Sequence, residues 1–333
     1  MKPILCVGDA HVDMMFPSQT TLQLQQQAAK GEDVSQRVQS QVVATPGGII
    51  LNTAGALARL GVSTMYGGSL GTDRFGRMAV EHMENLGVDV SCAVFKPQYA
   101  TMMVFCIISE SGDRDFRMYP VQESASTMLD YDDLPADITD RIGMFFFTGA
   151  QLMPPHTRAC VLKLAAQCKQ KGIPVVFDVN LRIGNFGWDE EKRAAHLQAV
   201  QMADIVFGSG EEELCFLAET QSVPDAVHKL RNSDSQLFVA KNGALGATLY
   251  TDFDTYQIGV YNVEVVDTVG AGDVFNAGFL AAYTRKMDLA HCLWWGTAAA
   301  AYSLQFEGGS VSPDEVQLLK FMDSFDPPAM LSF

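Results

Sequence analysis

Short apolar runs alternate with amphipathic stretches through the middle of the chain, and this alternation restricts the fold most. Each apolar run is hydrophobic along its whole length, as in a sheet that helices cover on both faces. Strands that alternate with helices imply right-handed crossovers and a mainly parallel sheet. The pattern predicts strands at 143–148, 173–178, 204–207 and 236–240, and helices at 155–171, 190–200 and 223–231.

Two segments interrupt this rhythm. Residues 12–45 are polar and contain a glutamine run at 25–27, and residues 97–120 alternate apolar and polar side chains around a turn at 111–113. Such alternation is typical of strands with one exposed face. We predict that both segments extend a single α/β domain over residues 1–333 and form a small β-lid. For the glutamine run the sequence favours a solvated connection, with a flexible linker, a short helix or a partner contact left open.

Composition limits the classes of partner and location. The 333 residues are 48% hydrophobic and lack a run of about 18 apolar residues, so we expect a large core and no transmembrane helix. A net charge of −16 without a basic run disfavours nucleic acids and anionic membranes as partners. The seven cysteines include no CxxC pair, so buried free thiols in a reducing cytoplasm are expected. The N-terminus indicates a first strand and no signal peptide.

The stretch from Asp267 to Asp273 joins a β-branched segment, 263–266, to a helix-forming one. The small residues Gly270, Ala271 and Gly272 leave N–H groups bare at a helix N-terminus, where an anion is favoured. Asp273 then stands beside a phosphate held there, and an anion hole next to a base is what phosphoryl transfer to a hydroxyl requires. A tight turn with Asp273 as a capping acid is the alternative.

This stretch resembles the C-terminal signature of the ribokinase-like (PfkB) carbohydrate kinases, nearest the fructokinase and 2-keto-3-deoxygluconate kinase branch. Further matches follow in the family's order along nearly the whole chain. They are a first strand with its sugar-binding aspartate (Gly8 to Asp13), a lid entry (Gly31–Glu32), a sugar-site motif (Gly47–Gly48 to Asn52) with its sequel (Gly71 to Gly76), a DPNLR-like segment (Asp178 to Arg182) and a nucleotide-side segment (Lys241, Gly243, Gly246).

The resemblance implies a three-layer α/β sandwich with a mainly parallel central sheet and a small β-sheet lid. It also implies ATP-dependent phosphorylation of a hydroxyl on a small sugar or keto-sugar acid, with Mg²⁺. Asp273 would be the general base, and the backbone of Gly270 to Gly272 would hold the transferring phosphoryl group. The residues implied for sugar hydroxyls are Asp13, Gly47, Gly48 and Asn52, and Arg182 is implied for an anion.

The nucleotide side is implied by a second group of residues: Asn180, Ser209, Glu212, Lys241, Gly243, Gly246 and Thr268. Ser209 replaces an asparagine that is frequent in the family. Glu212 would organise Mg²⁺ through water, although its acidic neighbours leave the register open by one residue. Asp267 and the loop at 308–309 would form a site for a monovalent cation such as K⁺. Pro120 stands where relatives carry a sugar-binding arginine, so the acceptor sugar stays open.

Other enzyme classes fit less well. A Rossmann dehydrogenase would need GxGxxG after the first strand, and a Walker kinase would need GxxxxGK[ST]; the sequence contains neither in the required place. A nucleoside or pyrimidine-precursor kinase of the same family stays open, as does a non-catalytic sugar-binding or regulatory protein. The expected partners are a sugar and ATP, with a homodimer through the lid as a further possibility.

Overall fold

The computed structural model describes residues 2–16, 30, 43–108, 114–120 and 123–333. In these ranges the strands are β1 (Ile4–Val7), β2 (His11–Phe16), β3 (Val43–Gly47), β4 (Thr64–Leu70), β5 (Asp89–Phe95), β6 (Met103–Ile108), β7 (Arg114–Tyr119), β8 (Met144–Thr148), β9 (Val175–Asp178), β10 (Ile205–Ser209), β11 (Leu237–Lys241), β12 (Ala247–Tyr250), β13 (Thr255–Ile258) and β14 (Met330–Ser332).

Helices of very different length connect these strands. They are α1 (Ile49–Arg59), α2 (Arg74–Asn85), α3 (Ile138–Arg141), α4 (Pro155–Gln170), α5 (Ile183–Phe186), α6 (Glu190–Met202), α7 (Phe216–Ala218), α8 (Val223–Leu230), α9 (Ala271–Thr284), α10 (Leu289–Ser303) and α11 (Glu315–Ser324). A single π-helical turn, Gly210–Cys215, leads from β10 into α7.

Ten of the strands form one central sheet in the order β14-β13-β12-β11-β10-β9-β8-β1-β4-β5. The seven strands from β11 to β5 are parallel, and β12, β13 and β14 extend the sheet antiparallel. The carboxyl ends of the parallel strands therefore lie along one edge, where open α/β sheets bind their ligands.

Apolar side chains pack against both faces of this sheet. In β8, Phe146 belongs to one core and its neighbours Phe145 and Phe147 belong to the other, because successive strand side chains point to opposite faces. Residues of α1, α9 and α10 complete the first core, and residues of α4, α6 and α8 complete the second. The fold is thus the three-layer α/β sandwich with a mainly parallel sheet that the sequence predicted.

All seven elements predicted in the middle of the chain form, with ends within two residues of the expected ones. The β-branched segment 263–266 differs, since it forms no strand. Its backbone instead follows α10: the N–H groups of Val266 and Asp267 donate to the carbonyl of Leu304, at 2.7 and 3.2 Å. Helix α9 is therefore entered from an irregular segment and not from a strand.

A second, four-stranded sheet has the order β3-β2-β6-β7. Its strands come from the two segments that interrupt the α/β rhythm, 12–45 and 97–120. The glutamine run at 25–27, the lid entry at 31–32 and the turn at 111–113 lie outside the described residues. A small separate sheet is confirmed, and its action as a lid stays a prediction.

Two expectations from composition concern cysteines and membranes. Six cysteines fall in the described core, and all are free and buried, as expected: Cys6, Cys92, Cys160, Cys168, Cys215 and Cys292. Among the helices that the structure describes, none has the length and apolar character needed to cross a bilayer.

Candidate active site

A cavity of about 390 Å³ opens where the carboxyl edge of the central sheet meets the small sheet. Residues after β1, the start of α1 and the start of α9 form one side of it, and Met102, Val104 and Met118 contribute apolar side chains from the small sheet and its approach. Of the residues that the sequence assigned to a site, the cavity wall includes Asp13, Gly48, Asn52, Arg182, Thr268, Gly270 and Asp273.

Asp273 lies in the first turn of α9 and is 8% exposed. The side-chain amide of Asn52, from α1, donates a hydrogen bond of 3.0 Å to its carboxylate. Burial raises the pKa of Asp273 to about 7, although the Asn52 hydrogen bond and the charges of Arg182 and Lys241 act in the opposite direction. A carboxyl group with this pKa can take up and release a proton near neutral pH.

The start of α9 leaves backbone donors free beside this carboxyl group. Gly270 caps the helix in the left-handed region, with φ of 75°, and a Cβ there would collide with the carbonyl of Gly309. The N–H of Ala271 donates to Thr268, at 3.3 Å, so it is partly engaged in a turn. The N–H groups of Gly270 and Gly272 donate to no group in the described part of the chain. Two of the three assigned amides are therefore available to an anion.

Lys241, at the end of β11, lies beneath this helix start. Its ammonium group would be 3.6 Å from a Cβ at Gly272, and it donates to the carboxylate of Asp178 at 2.9 Å. Asp178 is 1% exposed and also accepts a 2.7 Å hydrogen bond from Asn276. Burial alone would lower the pKa of Lys241, but Asp178 and Glu213 outweigh it and raise that pKa. A fixed positive charge thus lies next to the free amides.

The structure gives Glu212 and Glu213, between which the sequence leaves the register open, very different surroundings. Glu212 is exposed, whereas Glu213 accepts hydrogen bonds from the backbone N–H of Ser209, at 2.7 Å, and of Leu181, at 3.2 Å. The turn Gly210–Cys215 is π-helical and so accommodates one extra residue after β10. Burial and the nearby Asp178 raise the pKa of Glu213. The family's Asn-x-x-Glu spacing, counted from Ser209, therefore gives the exposed Glu212.

The segment after β9 carries backbone strain. Asn180 and Arg182 have φ of 28° and 46°, in the left-handed region that side chains other than glycine rarely adopt. Strain of this kind is frequent at functional sites. The guanidinium of Arg182 borders the cavity and, within the described chain, makes neither a hydrogen bond nor an ion pair. Its charge lowers the pKa of both Asp9 and Asp273.

The two glycines of the sugar-site motif have different roles. Gly48 borders the cavity at φ of 121°, and a Cβ there would lie 2.8 Å from the carbonyl of Asp9. Gly47 does not border the cavity; a Cβ there would collide with the carboxylate of Asp13 on the neighbouring strand. Gly47 therefore makes room for Asp13 and reaches a ligand only through it.

Asp9 and His11 also line the cavity, and the sequence had not singled them out. Burial alone would raise the pKa of Asp9, but His11 and the N–H of Ile49 lower it. A signal was present in the sequence, because His11 and Asp13 are two residues apart and share one face of a strand.

The remaining assigned residues lie off the cavity. Gly243 begins a short 3₁₀ turn after β11, and Gly246 ends it at φ of 88°, where a Cβ would collide with the carbonyl of Ile258. Asp267 is buried and ties two loops together, since it accepts from the N–H of Val269, at 3.1 Å, and of Gly308, at 3.0 Å. This tie fixes the position of the loop that holds Gly270.

Comparisons with known proteins agree on one family. Residues 1–315 match the model of the pfkB family carbohydrate kinases. Fructokinase-1 of Oryza sativa subsp. japonica is 32% identical over 291 residues, which is 85% of this chain and 90% of that protein. The 5-dehydro-2-deoxygluconokinase of Lacticaseibacillus casei is 27% identical over 281 residues, 83% and 86% of the two chains.

Solved structures give the same result. The crystal structure of Vibrio cholerae fructokinase with fructose, ADP and calcium bound superimposes with a TM-score of 0.81 at 27% identity, covering 97% of this chain and 99% of that one. The chain therefore belongs to the pfkB family of carbohydrate kinases and is an ATP-dependent phosphotransferase that acts on a hydroxyl group of a sugar.

Proposed function

We propose that the chain transfers the γ-phosphoryl group of ATP to a hydroxyl of a small neutral sugar, with D-fructose as the first substrate to test. One observation carries the proposal. Asp273, with a pKa of about 7, lies on the cavity wall and in the first turn of a helix whose leading amides are free. A base and an anion hole therefore adjoin one sugar-sized space.

The sugar side positions the attacking hydroxyl. Asp13 and the amide of Asn52 offer an acceptor and a mixed donor and acceptor to the sugar, and Gly48 allows the backbone to approach it. The side-chain oxygen of Asn52 is buried without a hydrogen-bond partner among the described residues. Asn52 therefore holds Asp273 through its nitrogen and keeps its oxygen for a sugar hydroxyl. Asp273 accepts the proton of the attacking hydroxyl.

The phosphate side supplies positive charge. The amides of Gly270 and Gly272 and the ammonium of Lys241 receive the transferring group. Thr268, Asn180 and Ser209 are proposed to contact the nucleotide phosphates. Bound Mg²⁺ would neutralise phosphate charge, and the residues present fit it: one carboxylate oxygen of Asp178 is buried without a partner in the described chain, beside Glu213.

The charges on the cavity wall favour a neutral acceptor. Among the described residues there, three are acids, Asp9, Asp13 and Asp273, and two are cationic, His11 and Arg182. His11 already contacts Asp9 and Asp13, so a sugar acid would depend on Arg182 alone for its carboxylate. A neutral ketose adds no charge to this wall. The fructose bound in the Vibrio cholerae enzyme, which is 27% identical, supports the same choice.

A coupled assay of ADP release tests the substrate. We expect D-fructose to give a higher kcat/KM than 5-dehydro-2-deoxygluconate, 2-keto-3-deoxygluconate, ribose or nucleosides. Arg182→Gln serves as the diagnostic variant, since it should affect a sugar acid far more than fructose. Preference for an acid that Arg182→Gln abolishes would contradict the neutral-sugar assignment. Thermal stabilisation by a sugar without turnover of any would favour a binding protein.

Replacement of Glu213 separates it from Glu212. We expect Glu213→Gln to raise the Mg²⁺ concentration needed for half-maximal activity by roughly tenfold or more, because the acid held at the strand ends is lost. Glu212→Gln is the matched control on the same turn and should change it little, since Glu212 is exposed. The measurement is initial rate against free Mg²⁺ at saturating sugar. A larger effect at Glu212 would assign the Mg²⁺-organising role to Glu212 and contradict the proposal for Glu213.

A monovalent cation near Asp267 stays a prediction. Both carboxylate oxygens of Asp267 accept backbone N–H groups, so carbonyl oxygens of the two loops would have to supply further cation ligands. Activation by added KCl relative to an equal concentration of a tetramethylammonium salt would support the site. Equal rates in the two salts would remove it.

The small sheet is proposed as a lid, and a homodimer through it stays a prediction. Its side chains Val104 and Met118 border the cavity, so closure would exclude water and protect ATP from hydrolysis. Structures with and without sugar check closure, and sedimentation velocity checks the dimer.

A further inference from the structure

Three side chains of alternating charge connect the two sheets at the sugar cavity. Asp9 follows β1, His11 opens β2, and Asp13 lies two residues further along β2. Nδ1 of His11 is 3.4 Å from the Asp9 carboxylate, and Nε2 is 3.2 Å from the Asp13 carboxylate. We call Asp9, His11 and Asp13 the charge bridge. All three residues line the cavity, and the His11 side chain is only 12% exposed.

The Asp9 end of the bridge is fixed to the central sheet. One carboxylate oxygen accepts the N–H of Ile49, at the start of α1, and the other accepts the side-chain amide of Gln151, each at 3.2 Å. Gln151 is held in turn, because its side-chain oxygen accepts the hydroxyl of Thr148 at 2.8 Å. Asp9 therefore has little freedom to rotate. Nδ1 of His11 lies within ion-pair distance of it but makes no hydrogen bond with the described residues, so this contact is electrostatic.

The Asp13 end faces the ligand space. Its Oδ1 contacts His11, and its Oδ2 occupies the space beside Gly47 that a Cβ would fill. In the described part of the chain, Oδ2 accepts no hydrogen bond. The side chain is 28% exposed, more than that of His11 or Asp9. This oxygen is therefore available to accept a hydroxyl from a sugar in the cavity.

His11 must be charged to complete this arrangement. Both ring nitrogens face carboxylates, and only the imidazolium form has an N–H on each. Burial alone would lower the pKa of His11, but Asp13 and Asp9 outweigh it and raise the pKa to about 9. The other charged groups at the cavity are Arg182 and Asp273, and neither contacts the ring. Loss of the proton would place a lone pair against a carboxylate.

We propose that His11 is a positioning residue for sugar recognition, which fixes Asp13 with its free oxygen towards the sugar and offsets one of the two neighbouring negative charges. The inference rests on the proposed function, since it takes the cavity as the sugar site. The effect is on binding of the sugar and not on proton transfer, because His11 contacts neither Asp273 nor the free amides at the start of α9.

Steady-state kinetics with D-fructose test the positioning role. We expect His11→Gln to raise KM for fructose by about tenfold or more and to change kcat by less than about threefold. In the wild type, KM should rise between pH 8 and 10 as the bridge loses its proton, whereas His11→Gln should show no such rise. His291→Gln is the matched control, since His291 forms an exposed pair with Asp288 at 2.8 Å. An unchanged KM in His11→Gln, or a loss confined to kcat, overturns the proposal.

NMR titration separates this inference from the substrate assignment. With ¹³C-labelled histidine, the His11 resonance, assigned by its loss in His11→Gln, should titrate near pH 9 and move towards its ordinary midpoint in Asp13→Asn. A wild-type midpoint near 6.5 would disprove the bridge even if fructose is a good substrate. If fructose is not phosphorylated but His11 titrates near 9, the substrate proposal fails and the bridge stands; fructose addition should then leave the resonance unmoved.

Discussion

Asp273→Asn is expected to lower kcat by roughly a hundredfold or more while sugar and nucleotide binding stay close to those of the wild type. The amide keeps the size of the carboxyl group but cannot accept the proton of the attacking hydroxyl. Rapid-quench measurement of phosphoryl transfer, with isothermal titration of both ligands, checks the two parts. Near-normal turnover would remove Asp273 as the base.

The pH dependence gives an independent check of the same residue. Because burial raises the pKa of Asp273 in the ligand-free protein to about 7, wild-type kcat/KM should rise about tenfold per pH unit below pH 7 and level off above it. Asn52→Ala removes a hydrogen bond that lowers this pKa, so the rising limb should move to higher pH. If the rising part of the pH profile stays at the same pH in Asn52→Ala, the group that titrates is not Asp273.

The same carboxyl group destabilises the empty protein. Because the pKa of Asp273 is higher in the folded than in the unfolded state, its ionisation destabilises the fold. This destabilisation is absent below about pH 4, grows as the pH rises, and is complete above about pH 7. At pH 8, Asp273→Asn should therefore be more stable than the wild type by about 4 kcal/mol and unfold at a higher temperature, and the difference should shrink towards pH 4. Such a variant would be less active and more stable, which misfolding cannot explain.

Lys241→Met is expected to damage both stability and catalysis. Asp178 would keep its buried charge and lose its cation, which costs about 3–5 kcal/mol when one partner of a buried pair is removed. The positive charge beside Gly272 would also be lost, and kcat should fall by roughly a hundredfold or more. Thermal denaturation and saturating-substrate kinetics measure the two losses.

A double variant separates the two roles of Lys241. In Lys241→Met with Asp178→Asn, the carboxylate that Lys241 bonds directly is removed and Asn276 can still donate to residue 178, so most of the loss in melting temperature should be recovered; Glu213 still lacks its neighbouring cation. Turnover should not recover, because the cation beneath the anion hole is missing and the Asp178 carboxylate proposed for Mg²⁺ is missing too; Asp178→Asn alone, measured beside it, gives the share of the second loss. Recovery of turnover in the double variant would mean that Lys241 serves only to neutralise Asp178.

The fold and part of the site could be predicted because local pattern determines them. Apolar runs and amphipathic stretches predicted the α/β order, and the glycines before Asp273 predicted a helix start with free amides. The hydrogen bond from Asn52 to Asp273 joins residues 221 positions apart, so no local pattern contains it. The family resemblance predicted that Asn52 and Asp273 act in the same reaction, but only the structure shows the hydrogen bond between them.

The misses have physical causes as well. The sequence left the register between Glu212 and Glu213 open, because a π-helical turn adds one residue to the spacing after Ser209 and three adjacent glutamates give no periodicity that reveals it. Asp9 was missed because its position depends on Gln151, which is 142 residues away and reaches it only after β8 pairs with β1, whereas the two-residue spacing of His11 and Asp13 was a local signal that was not used. The β-branched segment at 263–266 forms no strand, and the N–H of Val266 donates to the carbonyl of Leu304 at the end of α10.

The pairing of the small sheet has a mechanical consequence. His11 is opposite Gly47, Val12 is opposite Met103, and Met103 is opposite Tyr119, so all four strands join the rest of the molecule at the same end. If the small sheet acts as the proposed lid, this shared end is where it would hinge, and six residues of strand reach about 20 Å from it. A swing of about 10° about that end would move the far tip of the sheet by roughly 3 Å and Asp13, two residues from the end, by only about 1 Å, so the proposed lid could open with little movement of Asp13.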